Sequence, residues 1–341
     1  MIEKEIDSEK FSHCREVIHQ CREEIAKRVV GQHSVIDGIL IAIITGGHIL
    51  LEGVPGLAKT LMVKTFSDIL GLDFKRIQFT PDLLPADITG TLIYEQSSGN
   101  FSVRKGPVFT NIVLADEINR APTKVQSALL EAMAEKQVTI GEQTYQLPDP
   151  FFVLATQNPI EQEGTYNLPE AELDRFLLKL LVTYPTPMEE VKILQNGGNP
   201  ELFSVKKVLS KNEIKNMQEL LNQVVCDEKL IEYIVSLVAA TRPTSLKNQS
   251  GGRHIGSTVK GRDDIHSYIS FGASPRAGIA ICRCAKATAL FEGRSFVLPE
   301  DIKAVAPAVL RHRLVLSYEA AADGITADDL IARILDLMPV P

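Results

Sequence analysis

Short apolar segments and longer amphipathic segments alternate along the first half of the chain. Segments of strand length predict buried β-strands at 48–51, 74–79, 111–115, 151–155 and 176–182. Apolar residues that recur at helical spacing predict helices at 9–28, 35–44, 60–70 and 124–134. Two β-hairpins are predicted around glycine-containing turns, pairing 91–94 with 101–104 and 138–140 with 144–147. Strands that alternate with helices are typical of an α/β domain with a parallel sheet.

The pattern changes after Tyr184-Pro185-Thr186-Pro187, where the strand signals fade. Helices are predicted beyond this point at 213–224, 228–240, 275–291 and 299–310. We therefore predict two domains, an α/β domain over residues 1–185 and a helical domain over residues 186–341. A Gly/Ser-rich, basic stretch at 244–264 has no periodicity, which predicts a long mobile loop inside the second domain.

Composition and charge limit the classes of protein to which this chain can belong. With 36 Lys and Arg against 43 Asp and Glu, the net charge is −7, which disfavours a broad nucleic-acid-binding surface. The five cysteines are too scattered for a disulfide framework. A zinc site at His13, Cys14, His19 and Cys21 is disfavoured, because the two cysteines lie about 10 Å apart along one predicted helix. The polar start and the short apolar runs predict a cytoplasmic protein without a membrane segment.

The segment 53–60, GVPGLAKT, has the composition of a phosphate-binding loop between a strand and a helix. Small residues let backbone N–H groups approach the phosphates, while Lys59 supplies a positive charge and Thr60 a hydroxyl for Mg²⁺. Ala58 stands where this pattern commonly has glycine. We expect the chain to be turning into the helix at this position already, where alanine is favourable. The residues expected to contact the nucleotide here are Gly53, Pro55, Gly56, Leu57, Ala58, Lys59, Thr60 and Leu61.

Polar side chains follow two of the predicted strands. Strand 111–115 leads into Asp116 and Glu117, at the carboxyl edge of the sheet where ligands of α/β proteins bind. We expect Asp116 to hold Mg²⁺ through water and Glu117 to orient and polarise the attacking water. Strand 151–155 leads to Asn158, whose amide is suited to bind that water or the γ-phosphate. The alternative for Asn158 is a simple Asn-Pro turn.

Five motifs in the same order resemble the MoxR family of AAA+ ATPases: GVPGLAKT, FTPDLLPADITG, VLADEINRAP, ATQNPIEQEGTYNLPEAELDRF and FGASPRA. The resemblance covers nearly the whole chain and implies an AAA+ P-loop αβα sandwich with a parallel sheet, followed by a helical lid domain. It also implies that ATP and Mg²⁺ are bound, with Val30 and Gly31 beside the adenine and Asn158 as the first sensor residue. Arg175 matches the arginine finger that reaches a neighbouring subunit's γ-phosphate, and Arg276 matches the second sensor on the lid.

The resemblance further implies how the protein works. It implies a homo-oligomeric ring, by resemblance a hexamer, that uses ATP for chaperone-like remodelling or maturation of a protein client, including insertion of metal cofactors. It also implies a partner protein with a von Willebrand factor A-type domain, and hairpins that face a central pore. The 244–264 loop is longer than is usual in this family.

The residues alone leave alternatives open. Arg175 beside Asp174 also fits a surface ion pair, the hairpins also fit ordinary surface features, and the basic loop also fits solvated charge. The rival functions are a DNA-remodelling AAA+ ATPase and a nucleotide-dependent scaffold without turnover. The acidic balance disfavours the first, and the presence of Glu117 and Arg175 disfavours the second.

Overall fold

The structure is a computed structural model that describes residues 8–54, 56–97, 99–159, 164–195, 203–243 and 262–341, without the side chains of 262–264. Its contacts group the chain into two compact units. The first unit spans residues 16–217, and the second combines the beginning of the first helix with residues 218–341. The division into domains at 185/186 stays a prediction. The predicted loop lies outside the described residues, except that 262–264 begin a helix.

The secondary structure of the described residues follows the predicted order closely. In chain order the strands are β1 (Ile49–Glu52), β2 (Phe74–Gln78), β3 (Gly90–Glu95), β4 (Asn100–Lys105), β5 (Ile112–Asp116), β6 (Gln137–Ile140), β7 (Gln143–Gln146), β8 (Phe152–Gln157), β9 (Leu178–Leu181), β10 (Ile269–Phe271) and β11 (Val315–Leu316). The helices are α1 (Ser8–Ala26), α2 (His33–Thr45), α3 (Lys59–Leu70), α4 (Pro85–Thr89), α5 (Thr123–Glu135), α6 (Glu170–Leu173), α7 (Pro187–Gln195), α8 (Lys211–Leu221), α9 (Glu228–Ala240), α10 (Arg262–Ser267), α11 (Pro275–Phe291), α12 (Pro299–Leu310), α13 (Tyr318–Ala322) and α14 (Ala327–Leu337). A short 3₁₀ helix spans Ile118–Arg120.

Most differences from the sequence prediction concern short elements. Every predicted strand and helix is present, with ends that move by a few residues. The prediction missed α4, α6, α7, α10, α13 and α14, together with the antiparallel pair of β10 and β11. Most of these elements are too short for hydrophobic periodicity to register, and α7 buries none of its side chains.

The first unit is built on a five-stranded parallel sheet with the order β2-β5-β8-β1-β9. Successive residues along β1, β5 and β8 are buried, although neighbours on a strand point to opposite faces of the sheet. Both faces are therefore covered, as in the predicted α/β architecture. All five carboxyl ends lie at one edge, and β8 lies between β1 and β5.

The two predicted hairpins are confirmed beside this sheet. β3 pairs with β4, and β6 pairs with β7, both antiparallel. One apolar cluster contains β5, β8, the buried face of α5 and residues of the second hairpin such as Val138. On the first hairpin, Tyr94 and Phe101 are exposed and their rings lie 5.3 Å apart. A pore-facing role for the hairpins stays a prediction.

Helices dominate the second unit. α11 packs against α9 and α12, and α12 packs against α14. Small buried residues on α11, among them Ala277, Ala280 and Ala285, allow neighbouring helices to approach closely. β10 pairs with β11 in this unit, so the region is not purely helical. Among the described residues, no helix combines the length and the apolarity that a membrane crossing requires.

Candidate nucleotide-binding site

The residues between β1 and α3 form a tight turn at the carboxyl edge of the sheet. A side chain at Gly53 would meet the backbone carbonyl of Val182 at 2.8 Å, so glycine is required there. Gly56 has a φ of +86° and open space around its Cα, which leaves room for a ligand close to the backbone. Thr60 and Leu61 lie in the first turn of α3, where helix N–H groups favour an anion. Pro55 lies outside the described residues.

The backbone at position 58 corrects the expectation that alanine is favourable there. Ala58 does not lie in the helix but precedes it, with φ 53° and ψ 23° in the left-handed region. That conformation crowds the Cβ of any L-residue and costs about 1 kcal/mol relative to glycine. The commoner glycine at this position therefore has a steric reason, and alanine is strained here.

Lys59 is the first residue of α3 and is half-buried. Its Nζ donates a hydrogen bond to the carbonyl of Gly53, so the side chain lies across the turn. Burial lowers the pKa of Lys59, and the carboxylates of Asp116 and Glu117 oppose this shift. A cation held over a glycine-containing turn is what binding of nucleotide phosphates requires.

Asp116 ends β5, and Glu117 follows it in a left-handed conformation with φ 57°. Both are held by Thr156, a buried residue of β8 that sequence reasoning did not single out. The Thr156 hydroxyl donates to Oδ1 of Asp116 at 2.6 Å and accepts from the N–H of Glu117 at 2.8 Å. The position of the Asp116 carboxylate and that of the Glu117 backbone therefore depend on the neighbouring strand.

Basic and amide side chains from the first unit also engage the two carboxylates. Arg76 on β2 donates to Oδ2 of Asp116 through Nη2 at 2.6 Å and Nε at 2.9 Å. Gln78 donates through Nε2 to Oε2 of Glu117 at 2.9 Å, and Arg120 forms an ion pair with Glu117 at 3.1 Å. Sequence reasoning missed all three residues. For Arg76 and Gln78 the available signal was the polar character of residues 75, 76 and 78 within a predicted strand, and Arg120 stands in the motif VLADEINRAP.

Asn158 lies immediately after β8, as predicted, and is buried. In the sheet register Gln157 pairs with Glu52 of β1, and Ala155 pairs with Ala115 of β5. Asn158 therefore follows the strand between the one that leads to Lys59 and the one that ends in Asp116. The sheet brings these predicted residues together at one edge.

Arg175 and Arg276 lie on other elements of the chain. Arg175 follows α6, is exposed, and donates through Nη1 to the carbonyl of Leu130 on α5 at 2.8 Å. Arg276 belongs to the second unit, where it is exposed at the start of α11 and its N–H donates to the hydroxyl of Ser274 at 3.2 Å. The roles predicted for both residues stay predictions.

The segment expected beside the adenine precedes α2. Val30 is half-buried, and Gly31 has a φ of +69°. The carboxylate of Glu189 lies so close to the Cα of Gly31 that a side chain there would collide with it. Gln32 donates through Nε2 to the carbonyl of Thr183 at 2.7 Å, which links this segment to the end of the sheet region.

The donor groups present fit Mg²⁺ bound together with a nucleotide. The described residues contain no cluster of three or more His, Cys, Asp or Glu side chains that could hold a metal by themselves. Mg²⁺ commonly uses one or two protein oxygens, phosphate oxygens and water. The Thr60 hydroxyl on α3 and the Asp116 carboxylate on β5 supply oxygens of that kind.

Comparisons with known proteins agree with this arrangement. Residues 48–178 match the ATPase family associated with various cellular activities (AAA), and residues 262–334 match the AAA lid domain. The chain is 47% identical over 320 residues to the Mycobacterium tuberculosis protein named chaperone MoxR1, covering 93% of this chain and 81% of that one. It is 44% identical over 321 residues to the uncharacterised Bacillus subtilis protein YeaC, covering 94% and 93%.

A solved structure and a more distant relative point the same way. The crystal structure of a Cytophaga hutchinsonii protein, provisionally described as an ATPase, superimposes with a TM-score of 0.87 at 51% identity, covering 98% of this chain and 97% of that one. The Methylorubrum extorquens protein named MoxR is 32% identical over 347 residues, covering 96% of each chain. From the sheet, the lid match and these relatives, the chain belongs to the MoxR family of AAA+ ATPases.

Proposed function

We propose that this protein is a magnesium-dependent ATP hydrolase. The observation that carries the proposal is the convergence of Lys59, Asp116, Glu117 and Asn158 at the carboxyl edge of one sheet, where Thr156 holds the Asp116 carboxylate and the backbone of Glu117. Membership of an ATPase family supports the same activity.

In this proposal each residue has a distinct task. Lys59 binds the β- and γ-phosphates, and the backbone of 53–60 surrounds them. Glu117 accepts a hydrogen bond from the attacking water and polarises it, while Asn158 helps to orient that water. Thr60 and Asp116 would hold Mg²⁺, which supplies positive charge against the phosphates when it is bound. For Arg276, which belongs to the other unit, we propose the sensor role that the family resemblance implies.

We further propose that the working form is a homo-oligomeric ring, with a hexamer as the expected size. Arg175 is exposed and donates a hydrogen bond to the carbonyl of Leu130. In this proposal its guanidinium also reaches the nucleotide of a neighbouring subunit. The ring would remodel or mature a protein client, with insertion of a metal cofactor as one form of that work. This part rests on the relative named a chaperone and on the family.

The proposal includes two further elements that come from the family and the sequence. A partner with a von Willebrand factor A-type domain would connect the ring to its client. The protein would act in the cytoplasm without binding nucleic acid, in keeping with its net charge of −7.

The direct test is Lys59→Ala, assayed by binding of a fluorescent ATP analogue and by phosphate release. Loss of the charge over the turn should remove most of the nucleotide affinity. Lys64→Ala, which removes an exposed charge from the same helix, is the control and should bind normally. Unchanged affinity in Lys59→Ala would refute the phosphate-loop assignment.

The same assay separates the rival functions. Phosphate release measured at high protein concentration distinguishes an ATPase from a scaffold that binds ATP without turnover. A rate that rises strongly on addition of DNA would favour the DNA-remodelling alternative.

A further inference from the structure

The guanidinium of Arg76 binds the carboxylate that is expected to hold magnesium. Nε and Nη2 of Arg76 both donate to Oδ2 of Asp116, at 2.9 Å and 2.6 Å. The other carboxylate oxygen, Oδ1, accepts the Thr156 hydroxyl at 2.6 Å. Asp116 is therefore engaged on both oxygens by its own chain.

The hydrogen bonds to Asp116 limit the number of acceptor positions that its carboxylate can offer to a metal. An ionised carboxylate offers about four acceptor positions. Two are taken by Arg76 and one by Thr156, so one remains open. A hydrated Mg²⁺ uses the same acceptors, through its water ligands or directly. The positive charge of Arg76 also repels a second cation at this distance.

Arg76 and Thr156 differ in how readily they can release the Asp116 carboxylate. Thr156 is buried inside the sheet, whereas the Arg76 side chain is 49% exposed at the sheet's edge strand. A half-exposed ion pair contributes little stability, so a competing cation can displace it. Nη2 of Arg76 also donates to Oε1 of Gln78 at 2.8 Å, which holds the guanidinium over Asp116 while no metal is bound.

We propose that Arg76 is a positioning residue that competes with magnesium for Asp116. It neutralises and orients the carboxylate in the metal-free protein and leaves Oδ2 when the metal–nucleotide complex binds. Arg76 thus sets how much free Mg²⁺ the site requires. The inference rests on the proposed function, because it needs a nucleotide-dependent metal site at Asp116.

The test measures metal binding rather than activity. Full-length protein saturated with ADP is titrated with Mn²⁺, and free Mn²⁺ is followed by electron paramagnetic resonance. Arg76→Gln should bind Mn²⁺ about 2- to 5-fold more tightly than wild type, the range expected from removing one partly exposed ion pair. Arg76→Lys keeps the charge but loses one of the two hydrogen bonds to Oδ2, so its Mn²⁺ affinity should lie between those of wild type and Arg76→Gln.

Arg22→Gln is the matched control. Arg22 forms a part-exposed ion pair of similar length, 2.7 Å, with Asp37, away from the carboxylates of the site. This variant should bind Mn²⁺ like wild type. ADP binding in excess chelator and circular dichroism establish that each variant is folded.

The Mn²⁺ titration distinguishes the role of Arg76 from the existence of the metal site. Equal or weaker Mn²⁺ binding in Arg76→Gln, with normal ADP-dependent binding in wild type and Arg22→Gln, would overturn the role of Arg76 alone. A lack of ADP-dependent Mn²⁺ binding in wild type and in the control would overturn the proposed metal site itself, and this inference with it.

Discussion

The hydroxyl of Thr156 donates a 2.6 Å hydrogen bond to Oδ1 of Asp116 from the adjacent strand. Thr156→Val keeps the shape of the side chain but removes this donor and the acceptor of the Glu117 N–H. A buried group left without its partner costs about 1–3 kcal/mol. The Asp116 carboxylate and the backbone of Glu117 both lose the contact that positions them. We expect slower ATP hydrolysis by about 10- to 100-fold, restored largely by Thr156→Ser.

Thr45→Val is a suitable control for that experiment. Thr45 is equally buried, but its hydroxyl donates to carbonyls within α2. It should lower the free energy of unfolding, measured with urea, without changing the rate per folded molecule. Normal turnover in Thr156→Val would show that Asp116 and Glu117 do not depend on this hydroxyl.

The left-handed backbone at Ala58 predicts a stabilising substitution. Ala58→Gly relieves the crowding of the Cβ at φ 53°, and the free energy of unfolding should rise by about 1 kcal/mol. Ala128→Gly, in the middle of α5, should have the opposite effect of similar size. Urea titrations of the two variants measure both changes. A loss of stability in Ala58→Gly would mean that position 58 is not strained.

Some features of this site follow from local sequence patterns, whereas others depend on how distant segments of the chain come together. Asp116 and Asn158 follow buried strands, and local hydrophobic patterning shows where such strands end. The contact of Arg76 with Asp116 depends on β2 lying beside β5, and strand order is not encoded in local periodicity. The conformation of Ala58 is set by closure of the turn between β1 and α3, which composition alone did not show.

His48 predicts how stability depends on pH. Its Nδ1 accepts from the N–H of Val153 at 3.1 Å, and its Nε2 lies 3.2 Å from the carbonyl of Met133, which fits the neutral ring. Burial lowers the pKa of His48 from 6.5 to about 4. Between these values the unfolded chain binds the extra proton, so stability is retained above pH 6.5 and lost as the pH falls towards 4.

The full loss from this group is about 3 kcal/mol. Urea titrations at pH 7, 6, 5 and 4.5 should show it as a falling free energy of unfolding. His48→Gln lacks the titrating ring, so its free energy of unfolding should fall less steeply whatever its value at pH 7. Parallel pH profiles for the two proteins would contradict the assignment.

Glu117→Gln separates binding of ATP from its hydrolysis. The amide keeps an oxygen that can accept from Gln78, but it polarises water far less than a carboxylate does. We expect nucleotide affinity close to wild type and hydrolysis slower by at least about 10²-fold. Glu131→Gln, on the exposed side of α5, is the control for loss of a charge. Near-normal turnover would move the catalytic role elsewhere, with Asp116 the first candidate.

The same variant offers a route to the client. A ring that binds ATP but does not hydrolyse it should hold its client longer. Capture on Glu117→Gln with ATP, compared with Lys59→Ala under the same conditions, should enrich proteins that require the loaded nucleotide site. Identical captured proteins in the two samples would show that retention is independent of ATP.

Arg175 provides the test of a site shared between subunits. Arg175→Ala should bind ATP normally but lose hydrolysis by about 10³-fold or more, the effect of removing an arginine that stabilises transition-state charge. Arg175→Lys should recover little, because one ammonium cannot replace the planar guanidinium. Wild-type specific activity should rise with protein concentration, since the site is complete only after assembly.

Mixing experiments decide whether Arg175 acts on a neighbour. Arg175→Ala and Lys59→Ala subunits are each expected to be inactive, but a mixed ring contains interfaces where an intact phosphate loop meets an intact Arg175. Partial recovery of phosphate release on mixing supports action between subunits. If mixed rings form, as shown by co-purification of two affinity tags, and hydrolysis stays absent, Arg175 acts within its own chain. In that case its hydrogen bond to the carbonyl of Leu130 would be a structural contact that braces α5.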